Sequence, residues 1–185
     1  VRSMGRNSLL VVVALGVCGV ANASVDLTYN RYGLSFGDSE VVRGLRVNFA
    51  DRDMRDVRGI NLTLWRAPEP PEISDESSVS GLALGTFPSA GSLTGVQLGL
   101  AAIRGTNVRG IGLAPGVGAE EDLTGLYTGI GVGAGRDMTG GIAALIGAGA
   151  GRDMTGILTA GIGAGVGRDA RGLLLAGIGA GAGRD

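Results

Sequence analysis

The residues whose type and spacing could do chemistry are paired arginines and aspartates. Gly-Arg-Asp recurs so that Arg136, Arg152 and Arg168 stand beside Asp137, Asp153 and Asp169, each set 16 residues after the last, and the triplet returns at Arg184. A column of carboxylates can hold calcium. Gly149-x-Gly151-x-Asp153 and Gly165-x-Gly167-x-Asp169 echo part of the GGxGxDxUx nonapeptide of calcium-binding β-rolls. Such rolls place two turns in each coil, whereas this chain has one turn per repeat and an arginine beside each aspartate. The stronger expectation is a structural ladder in which the arginines and aspartates pair between repeats. Opposite charges then remove the repulsion of a single-sign stack. Calcium at Asp137, Asp153 and Asp169 is the weaker expectation, and no other cofactor is expected.

Other catalytic machinery is excluded by composition. The chain has no histidine and a single cysteine, Cys18. Ser-His-Asp and Cys-His catalysis and imidazole–thiolate zinc sites therefore have no parts. All 16 basic residues are arginine, so there is no phosphate-loop lysine. The GxGxG spacing around Gly131 arises because glycine fills a whole column. Paired carboxylates can do acid–base work, but a site repeated at every turn reads as structural. The charged run over residues 51–58, DRDMRDVR, suggests an acidic metal site, yet alternating signs fit a solvated turn better. The expected protein is not an enzyme.

The elements that position these pairs repeat too. Aligned on Gly-Arg-Asp, one column set holds Leu126, Ile142, Leu158 and Leu174, then Ile130, Ile146, Ile162 and Ile178, then Val132, Ala148, Ala164 and Ala180. The alternate columns are glycine, with Gly131, Gly147, Gly163 and Gly179 followed by Gly133, Gly149, Gly165 and Gly181. Alternation is the strand period. Each repeat is then one extended stretch with an apolar face and a bare face, which cannot bury itself alone and must stack. The expected fold is an all-β solenoid of 15–16-residue glycine-rich repeats. An antiparallel outer-membrane β-barrel is the alternative; it would not place like on like, and the apolar face has no aromatic girdle. Packed membrane helices fit poorly, because the apolar runs fall short of the ~20 residues a span needs. The glycine face is expected to let two walls of a coil approach closely. Met138 and Met154 are expected at turn corners.

Residues 1–23 read as a cleaved secretory signal, with Arg2 and Arg6, an apolar stretch from Leu9 to Val20, and Ala21-Asn22-Ala23. Residues 24–43 read as an N-terminal cap, since an open solenoid end is an aggregation template. Residues 44–185 carry the repeats. Residues 66–80, RAPEPPEISDESSVS, read as an inserted acidic loop, because Pro68, Pro70 and Pro71 cannot donate to a ladder. A net charge of −1 gives no footprint for nucleic acid. The chain stops at Gly183-Arg184-Asp185 in mid-repeat, which suggests either a truncated sequence or self-association through an open C-terminal edge.

Three stretches resemble a known family. Residues 79–85 (VSGLALG), 94–100 (TGVQLGL) and 42–65 (VRGLRVNFADRDMRDVRGINLTLW) are similar to bacterial surface-repeat proteins first described in leptospires. That family repeats a Gly-apolar-Gln-apolar-Gly-apolar core, which Gly95-Val96-Gln97-Leu98-Gly99-Leu100 matches outright. The Gly-Arg-Asp copies depart from it. The resemblance covers residue 44 onward and implies an exported protein of unknown molecular function with no catalytic residues. The expected role is structural or adhesive, at the cell surface, in the outer membrane or outside the cell, with an unknown surface or extracellular partner.

Overall fold

The computed structural model describes residues 25–29, 32–37, 39–49, 51, 54–65 and 76–184. The signal-like segment and residues 66–75 of the acidic loop lie outside them. The strands are β1 (Val25–Tyr29), β2 (Tyr32–Phe36), β3 (Val41–Asn48), β4 (Asp56–Thr63), β5 (Ser78–Gly85), β6 (Ser89–Gly99), β7 (Ala102–Leu113), β8 (Gly116–Ala119), β9 (Leu123–Ala134), β10 (Met138–Ala150), β11 (Met154–Ala160), β12 (Gly163–Ala176) and β13 (Gly179–Arg184). Among the described residues they form one 13-stranded sheet in chain order. The architecture is a β-solenoid of about nine turns, with about 15 residues per coil.

Like sits on like. Met138 pairs with Met154, Thr139 with Thr155 and Gly140 with Gly156, all in parallel register. A barrel is thereby overturned, because its neighbouring strands would run antiparallel. The antiparallel pairing is β1 with β2 at the N-terminal end. β2 then pairs in parallel with β3, Gly33 against Gly44, so the coil register begins at Tyr32. Ser78, Val79 and Ser80 belong to β5 rather than to the inserted loop, and Gly59 pairs directly with Gly81. The insertion therefore leaves the stack in register.

Each coil carries a long strand segment and a short one. Around the C-terminal coils the long segments pair as Met138–Ala144 with Met154–Ala160, and the short ones as Gly147–Ala150 with Gly163–Val166. Between them the chain turns a corner at Leu145–Ile146 and at Gly161–Ile162, then turns again at the Gly-Arg-Asp. Side chains from both segments meet in one buried cluster that includes Leu123, Met138, Ile142, Met154 and Leu158 from the long side and Val132, Ala148 and Ala164 from the short side. The two methionines stand at the corner just after the Gly-Arg-Asp turn, and they pack into the core there.

Glycine does different work at two positions of the coil. One glycine column runs through the long segments, and Gly125 shows why it cannot be another residue. Its φ is +133°, and a Cβ there would collide with the Gly110 carbonyl of the coil below. The glycines of the short segments point outward instead. A Cβ on Gly131 would meet nothing within 4 Å. They form a bare outer surface, so the close approach of the walls comes from the inward alanines and not from this face.

The alternation also breaks where the chain rounds its corner. Ile130, Ile146, Ile162 and Ile178 are exposed, while Val132, Ala148 and Ala164 are buried. Leu126 pairs with Gly141, and its neighbour Tyr127 pairs with Ile142. A 15-residue coil next to a 16-residue one had put Leu126 in the wrong column.

Candidate functional site

The Arg–Asp columns occupy the turn that leads from the short segment into the long one. Arg168 reaches down to the previous coil and forks onto Asp153, with Nη2–Oδ2 at 2.7 Å and Nε–Oδ1 at 3.2 Å. Arg152 meets Asp137 at 3.5 Å, and Arg136 meets Glu121 at 2.8 Å. Every one of these pairs spans two coils. The carboxylates also order the turn above them, since Asp137 Oδ1 accepts the Asp153 N–H at 3.2 Å and Asp153 Oδ1 accepts the Asp169 N–H at 3.3 Å. The Arg168 guanidinium holds the Asp153 carboxyl below the usual carboxylate range, aided by that Asp169 N–H and opposed by partial desolvation. Asp153 in turn raises Arg168. The oxygens of Asp137 and Asp153 are therefore engaged by guanidinium and backbone N–H groups. Among the described residues no three carboxylates, histidines or cysteines come together in a metal-sized group.

A second polar constellation escaped the sequence reading. Asp51, expected in a solvated turn, folds inward, and its side chain is only 2% exposed against a fully buried Arg46. It is a hub. Oδ1 accepts from Arg46 Nη1 at 3.1 Å, Asn48 Nδ2 at 2.9 Å and Asn61 Nδ2 at 2.9 Å. Oδ2 accepts from Thr63 Oγ1 at 2.9 Å and from the Ser89 N–H at 3.1 Å. Arg46 Nη1 also donates to Asn61 Oδ1 at 3.2 Å. The hub ties β3, β4 and β6 together inside the stack. Bonds to both of its oxygens offset the cost of burying the Asp51 charge beside Arg46. One signal pointed to it: Arg46 and Asn61 sit at equivalent positions of successive coils, in register with the inward column.

That column continues through Ala83, Gln97, Gly112 and Tyr127 to Ile142 and Leu158. Gly112 leaves room for the Tyr127 ring, whose atoms would lie 2.5 Å from a Cβ there. The ring slides beneath it, and its hydroxyl donates to Gln97 Oε1 at 3.2 Å. Burial pushes the Tyr127 phenol well above its ordinary pKa. Gln97 Nε2 donates to the Arg109 carbonyl at 3.1 Å. Gln97 is thus an inward strut linking coils.

At the N-terminal end a shallow depression is lined by Tyr32, Arg43, Gly44 and Arg58. Arg43 lies 5.5 Å over the Tyr32 ring and donates to its hydroxyl, while Arg58 pairs with Asp56. Both cations already face partners. No protein-family model matches the chain, and neither a curated protein nor a solved structure resembles it significantly.

Proposed function

We propose that the chain is a non-enzymatic, exported surface protein whose solenoid acts as a structural or adhesive element. The observation that carries this reading is where the polar chemistry goes. Asp51, Asp137, Asp153, Arg136, Arg152, Arg168 and Gln97 are bonded to neighbouring coils, and what faces outward is a surface of repeated rows. Such surfaces serve binding over area more than chemistry in a cleft. Export is supported by the basic, apolar and small-residue order of residues 1–23. The resemblance of residues 94–100 to a surface-repeat core supports the same location.

The test is protease accessibility of intact producing cells, followed by adhesion of the purified chain to immobilised extracellular material. Loss of the chain to external protease, with retention of tagged cytosolic protein, is expected. Recovery of the chain only in the cytosolic fraction would overturn the location, and failure to bind any coated surface would reduce the role to a structural one. Calcium is tested separately. The circular dichroism spectrum is expected to be the same in chelator and in calcium; folding only on addition of calcium would make Asp137, Asp153 and Asp169 a metal site.

A further inference from the structure

Among the described residues nothing covers the outer face of the long segments. Two parallel columns run up it. One contains Leu82, Val96, Ile111, Leu126, Ile157 and Leu173, and the other contains Leu84, Leu98, Leu113 and Leu175. Leu126 is 58% exposed, and Ile111 and Leu113 are 55% exposed. Large aliphatic side chains left in water in rows are unlike the scattered apolar residues of an ordinary surface. The columns extend below to Leu34 and Phe36. Neither column contains a charged residue.

The size of the face matches a protein interface. Ten stacked positions from Leu34 to Leu173, about 4.8 Å apart, make it about 43 Å long, and two columns about 7 Å apart with their side chains make it about 15 Å wide. Each copy would contribute roughly 650 Å², or about 1,300 Å² for a pair, which lies within the range of stable interfaces. Its period decides the occupant. The ridges repeat at the coil spacing, and a second solenoid of the same spacing has grooves to receive them along its whole length. Sheets pack face to face in this way at about 10 Å. A lipid surface would favour aromatic anchors. Phe36 at the lower end is the one aromatic residue in the two columns, and from Gly81 onward they hold only aliphatic residues, threonine, alanine and glycine.

We infer that this aliphatic face is a homodimer interface, with a second copy of the chain packed against it, closing the assembly at two. The inference does not depend on where the protein resides or on its adhesive role. It differs from growth through the open strand edge, which would not stop at two.

The test is sedimentation velocity of the full chain over a wide concentration range, alone and with phospholipid vesicles. A species of twice 18.4 kDa that does not grow further is expected. The double variant Ile111→Glu/Leu126→Glu is expected to weaken the dimer about 100-fold or more, as for central interface residues. Thr124→Glu, on the neighbouring polar column, is expected to leave it intact. Unchanged circular dichroism in both variants separates lost pairing from lost folding; if the double variant unfolds, the single variant Leu113→Lys replaces it. A monomer at every concentration would overturn the inference. So would open-ended growth indifferent to the substitutions, or a monomer that cosediments with vesicles.

Discussion

The inward column of the long strands holds opposite chemistries at its two ends. In the early coils it presents Arg46 and Asn61, which close on Asp51, while in the late coils it presents Ile142 and Leu158, which close on alanine and methionine. The backbone does not register the change, for Gly44 stacks on Gly59 as Gly140 stacks on Gly156. The stack is specified by its glycine column and by strand pairing between coils. What fills a coil is free to vary, provided that each buried group is satisfied. A polar core needs a complete network, because its members fail together. An apolar core needs only volume.

The sharpest way to break this comparison is at the polar end. Asp51→Ala strands the Arg46 charge inside the stack and should cost about 3–5 kcal/mol, read as a shift in the urea midpoint. A shift under about 1 kcal/mol would show the hub to be dispensable. Next comes the shared backbone. Gly125→Ala places a Cβ against the Gly110 carbonyl in a left-handed conformation and should cost at least about 1–3 kcal/mol. Gly131→Ala, on the open outer face, should be neutral or stabilise by about 0.4–1 kcal/mol. Equal effects at the two glycines would remove the distinction between the columns. Where polar and apolar fillings meet, Tyr127→Phe deletes the bond to Gln97 and should cost about 0.5–1.5 kcal/mol by thermal unfolding.

The smallest effect belongs to the surface turns. Asp153 titrates below its unfolded value, so its contribution is present above the ordinary aspartate range near pH 3.9 and is lost as pH falls through the lower folded value. Arg168→Ala should flatten the stability–pH curve in that acidic window and reduce its salt sensitivity, because it removes the small contribution present above the window and leaves stability below it unchanged. A variant curve parallel to the parent's there would separate Asp153 from Arg168.

Much of this fold is legible in the chain. The Gly-Arg-Asp period implies stacking in register, and the structure sets the repeated arginines and aspartates between coils because equivalent turns lie one strand spacing apart. Which residues face inward is less legible. Alternation was read straight through each repeat, but the chain rounds a corner, and Ile146 and Ile162 emerge outside. Asp51 was hidden for another reason. A run of alternating charge looks solvated when read locally, and its partners Asn61, Thr63 and Ser89 come from later coils. Tyr127 needed the vacancy at Gly112, which a sequence read as a string of glycines does not distinguish from the rest.

The uniform glycine column also bears on how the chain finds its register while folding. In the late coils a displacement by one whole repeat again sets Gly140, Gly156 or Gly172 against a glycine, with threonine or arginine before it. A skipped coil there would keep glycine against glycine, so the glycine column by itself does not number the coils. The early coils admit no such ambiguity, since Arg46, Asn61, Thr63 and Ser89 satisfy Asp51 in one arrangement only. The buried hub thus marks the origin from which later coils are counted, a reference mark that the glycine column by itself does not carry.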